Sequence, residues 1–247
     1  MTFETAAVIA FAYLMAAFVK GATGLGFSTT ALPILALSLG LKSAMPLVLL
    51  PSVVSNTLVM VQVGHFRETL RRFWPMFLAT VPGLLVGLAV LGRVNGLMAG
   101  AILGVVLVGY GLWTLLRPGR PISNRTARWL APLSGFLTGL FNGMTGSQVM
   151  PILPFMLALR LDPGRLVQAI NISFSLSSLV MAMGLSRLGL MSLETLWISL
   201  AGLIPVYLGV RLGGILRRHL DGETFRRLVL IMLIVLGVTL IGKSLTL

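Results

Sequence analysis

Charged positions fall along this chain in short clusters, and the stretches between them are long and apolar. Uncharged runs cover 21–41, 43–64, 73–92, 94–116, 129–159 and 166–186, with shorter ones at 5–19, 195–210 and 228–242. A helix needs about 20 apolar residues to cross about 30 Å of hydrocarbon. The pattern therefore predicts membrane spans along nearly the whole chain, with no appended soluble domain. The shorter runs are flanked by mildly polar residues and also have the length to cross.

The pattern repeats. Gly21 to Leu35 reads GATGLGFSTTALPIL, and Gly139 to Leu153 reads GLFNGMTGSQVMPIL. At a displacement of 118 residues Gly21 meets Gly139, Pro33 meets Pro151, Lys42 meets Arg160 and Ser55 meets Ser173. Further on, Trp74 and Pro82 answer Trp197 and Pro205, and Arg93-Val94-Asn95-Gly96 is similar to His219-Leu220-Asp221-Gly222. Matches in one order predict two halves, 1–120 and 121–247. The first holds hydrophobic segments at 4–20, 22–40, 44–64, 71–91 and 97–116, the second at 129–146, 147–160, 164–186, 193–213 and 225–245. An odd number of segments per half turns the second upside down relative to the first. The expected fold is an all-α integral membrane protein of two inverted repeats, about five hydrophobic segments each. That makes about eight to ten transmembrane segments, the Gly/Pro-rich ones broken or re-entrant.

Composition agrees. Charged residues are 10% and hydrophobic residues 57%, with mean hydropathy +1.00, against about 25% charged in a soluble domain. A net charge of +13 would ordinarily suggest nucleic acid. Here the arginines sit in connections between spans: Arg67, Arg71 and Arg72; Arg117, Arg120, Arg125 and Arg128; Arg217, Arg218, Arg226 and Arg227. That is the bias of cytoplasmic loops, so the expected partner is a lipid bilayer and not nucleic acid. The bias also flips between halves. Loop 65–72 holds three arginines and its counterpart 186–194 one; loop 92–96 holds one and its counterpart 215–227 four. Inversion keeps 65–72, 117–128 and 215–227 on the cytoplasmic side and both termini outside, whereas parallel halves would turn 215–227 outward. Met1-Thr2-Phe3-Glu4 has no basic leader, so the first apolar run reads as a retained span. Short Arg-rich loops point to a multi-pass protein of a bacterial inner membrane. The absence of cysteine excludes disulfides and thiolate metal sites.

The candidate chemistry lies in Gly21–Pro33 and Gly139–Pro154, where Gly and Pro interrupt helices amid Ser, Thr, Asn and Gln. Freed backbone groups are tolerated in a membrane only where they are buried or line a cavity, and paired interrupted segments point to a transporter's binding site. A broken helix presents N–H groups and partial positive charge, which suit an anion. The candidate residues are Thr23, Gly24, Gly26, Ser28, Thr29 and Thr30 in the first segment, and Asn142, Gly143, Thr145, Gly146, Ser147 and Gln148 in the second. The competing reading is close packing of small residues, which would also suit a homodimer. Asn56 in the span 43–64 and Asn171 in the span 164–186 either line the cavity or bond between helices, as do their neighbouring serines. Lys20, where the first span meets the Gly-rich segment, either meets an anion or snorkels to the interface. Lys42 and Arg160 read as interface anchors, His65 and His219 as solvated.

The acids, Glu4, Glu68, Asp162, Glu194, Asp221 and Glu223, fall in termini or loops. Asp162-Pro163 reads as a helix start, Asp as N-cap and Pro in the first turn. Without a mid-span carboxylate or histidine, an intramembrane proton relay is not expected. Without HExxH or an in-span histidine, neither is an intramembrane enzyme. No cofactor is called for.

At GATGLGFSTTALPIL and GLFNGMTGSQVMPIL, and again at Gly64-His65 and Pro82-Gly83…Gly87, the chain resembles the TauE/SafE (sulfite exporter, TSUP) family. The resemblance covers nearly the whole chain, including its duplicated layout. It implies transport of small sulfur-containing anions across a bacterial inner membrane: sulfite, sulfonates and related organic acids, often by export. The chain departs from the family pattern in lacking a GGG run. Phe27, Ser28 and Thr29 stand in the first segment and Gly146, Ser147 and Gln148 in the second. Thr30 and Gln148 would reshape a cavity, which leaves the substrate open. The expected function is a secondary carrier of such anions by alternating access. The alternatives are a carrier or channel for another small carboxylate or anion, or a non-transporting scaffold.

Overall fold

The computed structural model describes residues 2–116, 122–216 and 222–245. The expectations resting on Arg117, Arg120, Arg217, Arg218, His219 and Asp221 lie outside the described residues, as do those on the side chains of Glu223 and Arg226. Among the described residues all regular structure is helical. The helices are α1 (Phe3–Thr23), α2 (Phe27–Leu39), α3 (Leu41–Val63), α4 (Phe66–Arg93), α5 (Gly96–Leu116), α6 (Asn124–Thr145), α7 (Ile152–Ala158), α8 (Pro163–Arg187), α9 (Leu193–Ala201), α10 (Leu203–Leu216) and α11 (Gly222–Leu245). Among the described residues six stretches are long and apolar enough to cross a bilayer: α1, α3, α4, α5, α8 and the run Leu193–Ile215 through α9 and α10. The chain is a multi-pass membrane protein.

Local sequence sets the helix ends. The Thr2 hydroxyl accepts from Thr5 N–H before α1, Ser123 from Thr126 N–H before α6, and Ser192 from Thr195 N–H before α9. Asp162 caps α8 as expected, its carboxylate accepting from the N–H groups of Gly164 and Arg165. Each side-chain oxygen satisfies an N–H that has no partner in the first turn. Inside α3, Pro51 has no N–H to offer the carbonyl of Leu47. Tyr13 Oη and Ser199 Oγ donate to that carbonyl instead, which ties α1 and α9 to α3.

The main packing pairs are α4 with α6, α1 with α10, α5 with α11, and α3 with α8. Small residues bring the backbones together. A Cβ on Gly83 or Gly87 would fall on the carbonyls of Phe136 and Leu140 of α6, and one on Gly139 or Gly143 on those of Thr80 and Leu84 of α4. Gly21 meets Val210, and Gly209 and Gly213 meet Leu14 and Phe18, between α1 and α10 in the same way. Small-residue packing of this kind carries association where no hydrophobic drive exists between helices. The exterior carries large apolar residues: Leu78, Val105, Leu179, Ile204 and Val235 are all more than half exposed, as lipid-facing residues should be.

Candidate functional site

Both Gly-rich segments break their helices, and they break in the same way. Gly24 ends α1 with φ +80 and donates to the Lys20 carbonyl at 2.7 Å; Gly146 ends α6 with φ +73 and donates to the Asn142 carbonyl at 2.7 Å. Positive φ is cheap only for glycine. Thr23 Oγ1 donates to the Val19 carbonyl and accepts from Leu25 N–H; Thr145 Oγ1 donates to the Phe141 carbonyl and accepts from Ser147 N–H. Lys20-Gly21-Ala22-Thr23-Gly24 therefore matches Asn142-Gly143-Met144-Thr145-Gly146 at a displacement of 122, one helical turn from the 118 expected from sequence. Gly40 and Asp162, the N-caps of α3 and α8, keep the displacement of 122. The match of Pro33 to Pro151 is not an equivalence, because Pro33 lies within α2 and Pro151 caps α7. The continuations differ as well. α2 runs from Phe27 for 13 residues, whereas α7 starts only at Ile152 and has seven. At 1.5 Å per residue they are about 20 and about 10 Å long, too short to cross.

The first break opens on a cavity of about 500 Å³. Thr23, Gly26, Thr29 and Thr30 contribute to its wall from the predicted segment, and Val149 and Leu153 from around α7. Tyr110 and Thr114 of α5, Ile170 and Phe174 of α8, and Leu230 and Leu233 of α11 complete it. Thr30 Oγ1 is buried without a partner. Pro33 removes the N–H that would bond the Thr29 carbonyl. The cavity also lies at the start of α2, whose first N–H groups have no partner within the helix. Sequence reasoning missed Tyr110, Thr114 and the apolar wall, because an apolar residue facing a cavity carries the same signal as one facing lipid.

Lys20 is only 2% exposed. It does not snorkel. Its Nζ donates to Asn56 Oδ1 on α3 and, at 3.4 Å, to Asn171 Oδ1 on α8. Asn171 is held by its own Nδ2, which donates to the Val167 carbonyl at 2.8 Å. Among the described residues the ion pairs are those of Glu68 with His65 and Arg165; no carboxylate faces Lys20. Three of the predicted residues, far apart in sequence, thus form a buried amine flanked by two amides. Lys20, Asn56 and Asn171 are not in the cavity wall themselves; Val19 beside Lys20, Thr23 one turn on and Ile170 beside Asn171 are.

The second break carries a different set. Gln148 Nε2 donates to Ser178 Oγ at 3.2 Å on α8. Both amide atoms of Asn142, Gln148 Oε1 and Ser147 Oγ are buried without a partner. Asn171 and Ser178 are seven residues apart, so the two sets lie about 10 Å apart along one face of α8. Ser28 Oγ donates to Ser52 Oγ at 2.8 Å, between α2 and α3. Gly143 stands apart from these groups, against the α4 backbone, while Gly24 faces Val167 and Gly146 faces Leu32 and Met45. His65 is about half exposed, 3.6 Å from Glu68. Lys42 stays outside the site, and Arg160 takes φ +47 beyond α7. Among the described residues no three His or acidic groups gather as a metal site.

A family model described as "Sulfite exporter TauE/SafE" matches residues 9–240. No curated protein and no solved structure matches the chain.

Proposed function

Since the chain belongs to the sulfite exporter TauE/SafE family, a family of transporters rather than enzymes, we propose that it is a secondary carrier of small sulfur-containing anions. The observation that carries this reading is Lys20. An ammonium taken out of water costs several kcal/mol unless an anion accompanies it. Here its neighbours are amides, which orient the cation and leave its charge uncancelled. A sulfonate or sulfite supplied from the cavity completes the set. The Thr29 and Thr30 hydroxyls and the N–H groups at the start of α2 would hold its remaining oxygens. The wall is mostly Val, Leu, Ile and Phe, which favours a sulfonate with a short carbon body over bare sulfite.

Alternating access follows if the halves are inverted repeats, each of five segments with α9 and α10 counted as one. The packing supports this reading: α1 lies on α10 as α6 lies on α4, and α3–α8 and α5–α11 are self-paired. The two breaks then face opposite sides of the membrane. One is open and lined by Gly26; the other holds Gln148 at the corresponding position. The cavity wall includes Thr114, Leu157 and Leu166, each near the end of its helix on the side of the Arg-rich connections. That side is the cytoplasm of a bacterial inner membrane if basic loops stay inside, and a cavity open there receives substrate for export. Rocking one repeat against the other would open the Asn142 side.

The test is flux of labelled sulfite, a C2 sulfonate and a matched carboxylate in proteoliposomes, with and without a pH gradient. Saturable flux of a sulfur anion in preference to the carboxylate is the expected result. No flux of any of the three, from protein shown to be folded, would remove the reading.

A further inference from the structure

A second cavity, of about 510 Å³, lies away from the break and is built from both halves of the chain. Arg71 and Arg72 of α4 and Arg128 of α6 line it together with Phe73, Ala127, Ala131 and Leu159. The arginines are exposed, whereas Phe73, Ala127 and Ala131 are buried and make an apolar floor. The Arg72 guanidinium lies over the Phe73 ring, 5.3 Å from its centre. Among the described residues no acid contributes to the wall. The nearest acid in sequence, Glu68, is engaged by Arg165 at 3.2 Å.

Two tryptophans give the depth of this cavity. Trp74 is 57% exposed and Trp129 81% exposed, and they stand next in sequence to its lining residues Phe73 and Arg128. Exposed tryptophan concentrates at the level of lipid headgroups. One turn further along each helix, Leu78 and Leu133 are more than half exposed and offer an apolar track beside it. Arginine is suited to phosphate oxygens, which its planar fork engages in pairs.

We propose that this cavity binds the headgroup phosphate of an anionic phospholipid, its acyl chains lying along the exposed leucines of α4 and α6. A zwitterionic headgroup brings an ammonium against three guanidiniums and is disfavoured. Inorganic phosphate matches the arginines but leaves the apolar track empty. The bound lipid bridges α4 and α6, the most extensively packed helix pair among the described residues, and so braces the two halves against each other. The site does not depend on the transport reading.

The experiment is native mass spectrometry of the purified full-length protein with phosphatidylglycerol, phosphatidylcholine or inorganic phosphate. It compares wild type, the triple variant R71Q/R72Q/R128Q, the single variant Arg128→Gln, and a control, K42Q/R93Q/R187Q. The control removes as many cations from helix ends on the opposite side of the bundle. Wild type and control are expected to retain phosphatidylglycerol at least about tenfold better than phosphatidylcholine. The triple variant should lose that preference and the single variant part of it. Equal retention by the triple variant and wild type would overturn the proposal. So would inorganic phosphate binding as well as phosphatidylglycerol, which would make the cavity a site for soluble anions.

Discussion

Replacing Asn56 by Asp gives Lys20 the anion that the structure withholds. Asn56 Oδ1 already accepts from Lys20 Nζ, so the new carboxylate arrives in hydrogen-bonding position without repacking. At an effective dielectric of about 20, opposite charges about 4 Å apart attract by about 4 kcal/mol. Desolvating the carboxylate offsets several kcal/mol of that, so thermal stability should hold or rise slightly. The substrate, however, must now compete with a tethered carboxylate. A hydrogen bond to a charged group is worth about 1.5–3 kcal/mol, so kcat/KM for a sulfonate should fall about 10- to 100-fold. The assay is counterflow in proteoliposomes beside a thermal melt of the same preparation. Lys20→Met should lose transport to the same degree, because the cation itself is gone. The double variant K20M/N56D leaves a buried carboxylate unpaired and should melt markedly lower, since stranding one member of a buried pair costs about 3–5 kcal/mol. Wild-type kcat/KM in Asn56→Asp would show that the anion does not bind at Lys20.

Other perturbations separate site from scaffold. Thr30→Val removes a buried hydroxyl that has no partner; stability should change by less than about 1 kcal/mol while KM for the sulfonate rises several-fold, read from melts and flux on one preparation. Gly139→Val drives a side chain into the Thr80 carbonyl of α4; overpacking of about 3 kcal/mol or more should abolish a monodisperse peak in detergent, and a normal elution profile would contradict the packing. Asp162→Ala takes away the cap of α8, costing about 1 kcal/mol and lowering Tm by about 2–4 °C with transport retained at temperatures below the melt.

Much of the architecture was legible because lipid imposes long uncharged runs, and because glycine and proline interrupt helices wherever they sit. The two breaks and the Asp162 cap followed from residue type and spacing, whereas Glu4, Glu68 and Glu194, expected in termini or loops, lie in the first turns of α1, α4 and α9. The displacement of 118 residues read from the sequence did not hold. Pro-Ile-Leu recurs at 33–35 and 151–153 and drew the alignment one turn away from the displacement that the Thr23/Gly24 and Thr145/Gly146 caps share. Proline marks a break but does not say on which side of it a helix resumes. Lys20 was ambiguous for a related reason. Position near a helix end suits snorkelling, and only the convergence of α3 and α8, through Asn56 and Asn171, shows that the amine points inward. Gly143 was read with the site because it sits among polar residues, yet the α4 carbonyls against it make it a packing residue. Convergence in space also sets Arg71 and Arg72 of α4 and Arg128 of α6 apart from the other clustered arginines, a distinction that charge counting does not reach.

If Lys20 binds the transported sulfur-containing anion, proteoliposomes loaded with unlabelled C2 sulfonate should draw in the labelled compound in a transient overshoot with wild type and show none with Lys20→Met at equal amounts of folded protein. An overshoot of the same size in both, or none with folded wild type, would remove Lys20 from the transport path.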